Sequence, residues 1–332
     1  IASEKINKLK AKQMPISTEE VKSFKENLPF KLTNAQERTI KEISDDISLA
    51  KPMRRLVQGD VGSGKTVVAA VSMYISAKNN TQSVLLCPTE VLAEQHFKNF
   101  SAWFKNSNIK IELLTGKMPV SKRRGIYQDL EDGVIDILIG THAVFQDKVK
   151  MKNLGLVVVD EQQRFGVKQR FDLVKKSSDQ IMPHQLFMTA TPIPRTLAMT
   201  IFADLETSKI DELPPGRKPV ETLVYSDKKK DEIVKRLETV CKSGNQVFWL
   251  CTMIEESENL DVQAADEAKE WIKENTNGLN IGLVHSKLSK DQRDKAIENF
   301  RSGKTDVLVC TTVIEVGMDI PNASLMVIEN AE

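Results

Sequence analysis

Gly59-Asp60-Val61-Gly62-Ser63-Gly64-Lys65-Thr66 is the stretch that decides the fold. It satisfies G-x-x-x-x-G-K-[ST] and stands between a short apolar run, residues 55–58, and the helix-like VVAAVSMYISA. Strand, loop, helix is the context that a phosphate-binding loop needs. Glycines let successive backbone N–H groups curl toward an anion at a helix N-terminus. Lys65 then adds a point charge for the β and γ phosphates, and Thr66 offers its hydroxyl to Mg²⁺.

Working outward, apolar runs rich in Val, Ile and Leu recur at 55–58, 84–87, 109–114, 135–139, 156–159 and 186–188, and again at 222–225, 246–251, 281–284, 307–310 and 325–328. Longer polar or amphipathic stretches separate them, the alternation of a parallel sheet covered by helices. With 332 residues, more than one core usually serves, the pattern predicts two domains of one α/β plan. Pro214, Pro215, Gly216 and Pro219 cannot continue a helix or a central strand, so the boundary falls there. The expected division is a connecting helix or linker at 1–28, with Ser17 or Thr18 as its cap, a first lobe at 29–210, a hinge at 211–221 and a second lobe at 222–332.

Composition narrows the function classes. No apolar run approaches the ~20 residues that cross a bilayer, so a membrane protein is excluded. Lys plus Arg total 47 against 46 Asp plus Glu, a net charge of +1 that advertises no polyanionic partner. The four cysteines, Cys87, Cys241, Cys251 and Cys310, lie far apart in or beside apolar segments and read as reduced core thiols. The opening IASEKINKLKAK is too polar for a secretory signal, so a cytosolic location is the default. It lacks an initiator Met and reads as part of a longer protein.

A P-loop NTPase also needs an acidic residue at a strand end. Leu156-Val157-Val158-Val159-Asp160-Glu161 supplies two: Asp160 for Mg²⁺, and Glu161 to polarise the attacking water. Polar clusters follow other apolar runs, at Thr89, at Thr115-Gly116-Lys117, at Thr141-His142, at Thr189 and Thr191, and at Thr311-Thr312. Open α/β sheets bind ligands beyond the carboxyl ends of their strands, so a row of hydroxyls there suits a phosphodiester backbone. For His142 a structural role, satisfied by a neighbouring backbone group, is an equal reading. Lys122-Arg123-Arg124 and Lys228-Lys229-Lys230 read as solvated helix surface, and Trp103, Trp249 and Trp271 as packing residues.

In order along the chain, GDVGSGKT, PTEVLAEQ, TGK, GTHA, VVVDEQQRFG, MTATPIPRT, QVFWLC, LVHSKL and TTVIEVGMDIP resemble motifs I to V of the superfamily 2 helicases. The RecG family and the transcription-repair coupling factors share this series. The P-loop with Ser63, the 210–219 segment and Ile254-Glu255-Glu256-Ser257-Glu258 are more similar to the RecG family. The resemblance implies two RecA-like lobes, ATP and Mg²⁺ as cofactors, duplex DNA, forks and four-way junctions as partners, and a monomeric ATP-dependent DNA helicase that remodels stalled forks and Holliday junctions. By the same resemblance residues 59–66 (Gly59, Asp60, Val61, Gly62, Ser63, Gly64, Lys65 and Thr66) and Asp160 hold the nucleotide and its metal. Gln36 would read the adenine, with Phe30 as a stacking partner, and Gly317 and Asp319 would reach the nucleotide from the second lobe. Thr189 and Thr191 would couple hydrolysis to DNA. Thr89, Gly116, Thr141, His142, Ser286, Thr311 and Thr312 fall at DNA-contact positions.

Two departures stand out. Gln163 occupies the place where the family usually has His, able to hydrogen bond but not to carry charge. The chain stops short of motif VI, whose arginine is worth ~10³ to 10⁵ in rate in comparable NTPases. Nothing in it resembles the family's N-terminal wedge domain. The expectation is a second lobe that is incomplete, weak ATP turnover, and DNA binding that is weak and not fork-selective.

Overall fold

The computed structural model describes residues 10–161, 181–191, 205–214, 220–226, 229–252, 258–311, 320 and 322–330. The chain divides into two compact units, Ile1–Lys218 and Pro219–Glu332.

The described part of the first unit includes α1 (Thr18–Glu26) and α2 (Asn34–Ile47), each opened by a capping box, Ser17 with Glu20 and Thr33 with Gln36. There follow β1 (Arg54–Gly59), α3 (Lys65–Lys78), β2 (Gln82–Leu86), α4 (Glu90–Trp103), β3 (Ile111–Leu114), α5 (Val120–Glu131), β4 (Ile137–Gly140), a 3₁₀ turn at His142–Phe145, β5 (Leu154–Val159), β6 (His184–Thr189) and β7 (Glu206–Ile210). The seven strands form one sheet in the order β3-β4-β2-β5-β6-β1-β7, with every pair parallel. Successive strand residues point to opposite faces, and both faces are buried. Val57, Leu85, Ile137, Val158 and Leu186 pack on one side with residues of α1 to α4. Leu56, Val84, Leu138, Val157 and Phe187 pack on the other with Ile126 and Leu130 of α5.

Helix α3 is apolar almost all round, as a helix enclosed by neighbours must be. Val67 to Ala77 are all buried, and Tyr74 stacks on Phe24 of α1 at 4.4 Å between ring centroids. The stretch before Leu28 thus packs into this core through Met14, Val21 and Phe24. A strap at residues 10–14 is tied down by hydrogen bonds from Ala11 N–H to the Ala50 carbonyl and from Met14 N–H to that of Ile47.

The second unit contains α6 (Lys230–Lys242), β8 (Gln246–Cys251), α7 (Glu258–Asn275), β9 (Ile281–Val284), α8 (Lys290–Arg301), β10 (Val307–Cys310) and β11 (Ala323–Glu329). Its strands are again all parallel, in the order β11-β8-β10-β9. The two units therefore share one α/β plan, as the spacing of apolar runs predicts.

Two elements differ from the sequence expectation. Residues 222–225, expected as a strand, form none; Val224 is 95% exposed, and among the described residues no strand takes up the backbone groups that a strand leaves unpaired. Conversely β7 was not expected, because Glu206-Thr207-Ser208-Lys209-Ile210 carries only Ser208 and Ile210 inward from an edge position. All four cysteines are free and buried. Burial pushes the Cys241 thiol up to about 11 and Cys310 up to about 12. Trp249 is fully buried, and Trp103 and Trp271 pack against the cores.

Candidate nucleotide and nucleic-acid site

Because the strands of the first sheet are parallel, their carboxyl ends share one edge. In sheet order that edge carries the turn after β3 with Gly116, the turn after β4 with Thr141 and His142, Thr89 after β2, Asp160 and Glu161 after β5, Thr189 after β6 and the glycine-rich loop after β1. The expected nucleotide residues thus gather at β5 and β1, and the expected DNA residues at β3, β4 and β2.

The loop after β1 depends on backbone freedom. Gly64 caps α3 at φ 86°, and a Cβ there would lie 2.2 Å from Gln36 Nε2. A Cβ on Gly59 would lie 2.5 Å from Ser63 Oγ. No side chain caps α3 and its first turn contains no acid, so the positive end of the helix faces the loop. Lys65 Nζ is held over the loop by the carbonyls of Gly59 and Asp60, at 2.7 and 3.0 Å. Ser63 Oγ is buried without a hydrogen-bond partner. A buried orphan hydroxyl, an acid-free helix start and a turn that only glycine fits together match a bound phosphate chain. Val61 and Gly62 are exposed on the loop, and Thr66 is half-buried one residue into the helix.

Gln36 is 3% exposed and both ends of its amide are engaged. Its Oε1 accepts from Thr33 N–H at 2.9 Å, and its Nε2 donates to the Ser63 carbonyl at 2.8 Å. The residue therefore clamps the phosphate loop to the start of α2, with one amide N–H and one carbonyl lone pair left over. Helix α2 is itself anchored to the end of β7, where Ala35 N–H donates to Glu212 and Arg38 donates to Asp211. That guanidinium holds the Asp211 carboxyl below its usual range. Phe30 is 43% exposed, its ring edge-on to Trp103 at 5.7 Å.

Asp160 and Glu161 are buried at the end of β5. Asp160 Oδ1 accepts from Glu161 N–H at 3.0 Å, and its Oδ2 bonds His96 Nε2 at 2.8 Å. Glu161 adopts φ 48°, a left-handed conformation that costs a non-glycine residue about 1–3 kcal/mol and concentrates at working sites. Burial, and then the charge of Asp160, push the neighbouring Cys87 thiol well above its ordinary value, so it is inert. Among the described residues no three His, Cys, Asp or Glu side chains gather as a protein-only metal cage. Mg²⁺ commonly relies on one or two carboxylates with substrate phosphates, and Thr66 with Asp160 suits it.

On the other half of the edge Thr89 caps α4 through Leu92 N–H. Glu90 accepts from Lys117 N–H at 3.3 Å, joining that turn to the one containing Gly116. Thr141 is buried and precedes the 3₁₀ turn, while His142 is exposed with its ring 6.1 Å from that of Phe145. Thr189 and Thr191 share a hydroxyl hydrogen bond of 2.8 Å. In the second unit Ser286 is exposed after β9, and Thr311 is buried after β10 with its hydroxyl unpartnered. Thr312, Gly317, Asp319, Gln163 and the Pro215, Gly216 and Pro219 part of the hinge lie outside the described residues. The sequence reading missed His96. It stands one residue past the PTEVLAEQ stretch, and a lone histidine within a helical pattern has no local signature.

Residues 33–200 match the DEAD/DEAH box helicase family, half of the chain, and residues 228–332 match the helicase conserved C-terminal domain. The chain belongs to the DEAD/DEAH box helicases. Within these helicases it is 49% identical over 311 residues to the ATP-dependent DNA helicase RecG of Haemophilus influenzae, covering 93% of this chain and 45% of that protein. It is 50% identical over 307 residues to RecG of Escherichia coli O157:H7, covering 92% and 44%. A solved structure of RecG bound to a three-way DNA junction matches with a TM-score of 0.82 at 37% identity, over 98% of this chain and 42% of that one. The chain thus spans somewhat under half the length of these RecG proteins. The two tandem RecA-like α/β units implied by the motif series are the helicase architecture.

Proposed function

We propose that this chain is the motor core of an ATP-dependent DNA helicase that moves on duplex DNA and, in the protein to which it belongs, remodels stalled replication forks and Holliday junctions in recombination and repair. The observation that carries this reading is the shared edge of the first sheet. The phosphate loop and Asp160 occupy one half, and hydroxyl-bearing turns after β2, β3 and β4 occupy the other. Similarity to helicases named for ATP-dependent action on DNA supports it. In this reading the protein is a cytoplasmic, nucleoid-associated monomer.

In this reading the amides of residues 62–66 and the Lys65 ammonium bind the β and γ phosphates, and Thr66 and Asp160 hold Mg²⁺. The metal, when bound, neutralises charge on the phosphate oxygens. Glu161 orients the attacking water and accepts its proton. Thr89, Gly116, Thr141, His142, Ser286, Thr311 and Thr312 contact the DNA backbone, with Thr189 and Thr191 coupling it to hydrolysis. Phe30 and Gln36 stand at the adenine; Gly317 and Asp319 are nucleotide-binding residues by the motif series. ATP hydrolysis by the full-length protein, measured with single-stranded, duplex and forked DNA, tests the reading: stimulation should be strongest with forks. Glu161→Gln should lower stimulated turnover by about 10²–10⁴ while ATP affinity is retained. Turnover unchanged in that variant, or indifferent to DNA, refutes it.

A further inference from the structure

His96 and His184 are both buried, and they differ in one respect. His184 satisfies both ring nitrogens with backbone groups, accepting from Met53 N–H and bonding the Lys12 carbonyl. His96 is 5% exposed, its Nε2 bonds Asp160 Oδ2 at 2.8 Å, and its Nδ1 is buried with no hydrogen-bond partner. Buried polar atoms are mostly paired, and His285 Nδ1 is likewise orphaned, so what sets His96 apart is the group that its one engaged nitrogen meets. Among the described residues the sole hydrogen-bond partner of the His96 side chain is the carboxylate at the end of β5.

The position follows from topology. Helix α4 leaves the end of β2, the strand beside β5, with Thr89 fixing its first turn. Phe100, one turn further along, is fully buried and sets its ring edge against the imidazole at 6.4 Å. The ring is thus held from behind while Nε2 points at Asp160. A carboxylate oxygen only accepts, so Nε2 carries the hydrogen. With Glu161 N–H on Oδ1 and His96 on Oδ2, each oxygen keeps one lone pair, and neither can rotate away without breaking a bond.

We propose that His96 is a positioning residue that presents Asp160 to the divalent cation of the bound nucleotide. This rests on the reading of Asp160 as a Mg²⁺ ligand, and outer partners of metal-binding groups are commonly worth 10–100-fold in metal affinity. The test uses the full-length protein with Mn²⁺ as the probe, titrated by electron paramagnetic resonance in the presence of a non-hydrolysable ATP analogue. Affinity for the analogue without metal and the melting temperature are measured alongside. His96→Ala and His96→Asn should weaken Mn²⁺ binding about 10–100-fold with metal-free analogue affinity preserved. His96→Gln, whose amide N–H can occupy the place of Nε2, should recover most of it. Should the alanine variant fail to fold, the asparagine and glutamine variants decide. Equal Mn²⁺ binding by wild type and His96→Asn, with Asp160→Asn impaired, overturns the proposal. Asp160→Asn binding Mn²⁺ as wild type does would remove the metal role of Asp160 itself, and the proposal with it.

Discussion

Gly64 and His184 show how a single residue carries a property that its neighbours impose. At φ 86° an alanine in place of Gly64 would meet a backbone cost of about 1–2 kcal/mol. It would also collide with the Gln36 amide, which stands 2.2 Å from the new carbon. Gly64→Ala should therefore lose nucleotide binding and melt lower, as measured by equilibrium titration and by calorimetry. His184 is held neutral: burial lowers its pKa from 6.5, and protonation would expel the Met53 N–H bond. The unfolded chain then takes up the proton first as pH falls. Stability of the first unit should be complete above pH 6.5 and decline as pH drops from there toward the lowered value. Urea unfolding at pH 7.5 and pH 5.5 checks this, with His184→Leu expected to flatten the difference. The imidazole's link to Lys12 was not visible in the sequence, because the strap and β6 are far apart along the chain.

At the scale of elements the two units repeat one device. Lys110 N–H donates to Asp136, and 26 residues separate them; Asn280 N–H donates to Asp306 over the same 26. Gln82 bridges the carbonyls of Leu130 and Ile135, and Gln246 bridges those of Phe300 and Thr305. In each case a strand-opening glutamine closes the end of a twelve-residue helix against the next strand. Removing Gln82 takes their side-chain partner from the Ile135 carbonyl and the Asn153 N–H, at about 1–3 kcal/mol each, while the Leu130 carbonyl keeps its bond from Gly133 N–H. Gln82→Leu should destabilise the first unit by about 2–4 kcal/mol and loosen amide exchange at the end of α5, while leaving the second unit unchanged. The repeat in apolar spacing was legible in the sequence. The glutamine bridges were not, since a polar residue at the start of an apolar run looks like a boundary. Strand β7 escaped for a related reason: an edge strand needs few apolar residues, and its place beside β1 is a long-range fact.

For the whole molecule a net charge of +1 sets the expectation. Each phosphate neutralised by Lys or Arg contributes about −0.9 to the salt slope of binding to duplex DNA. A surface that meets DNA through hydroxyls, amides and helix ends should show a shallow slope, about −3 or less in magnitude for these 332 residues, and equal affinity for forked and linear duplex. A fluorescence titration at two salt concentrations measures both, and a steep slope or clear fork preference would contradict the charge argument.

What the sequence determined by itself is what depends on near neighbours. The glycine-rich loop, the alternation of apolar runs, the helix cap near Ser17 and the carboxylates at a strand end all follow from residues a few positions apart. Only the tertiary structure decided which turns share an edge, because strand order is set by long-range pairing. It alone turned Gln36 into a clamp on the phosphate loop and set His96 against Asp160, pairs separated by 27 and 64 residues. Side-chain identity limits what a group can bond, but burial and the partner across the sheet select which bond it makes.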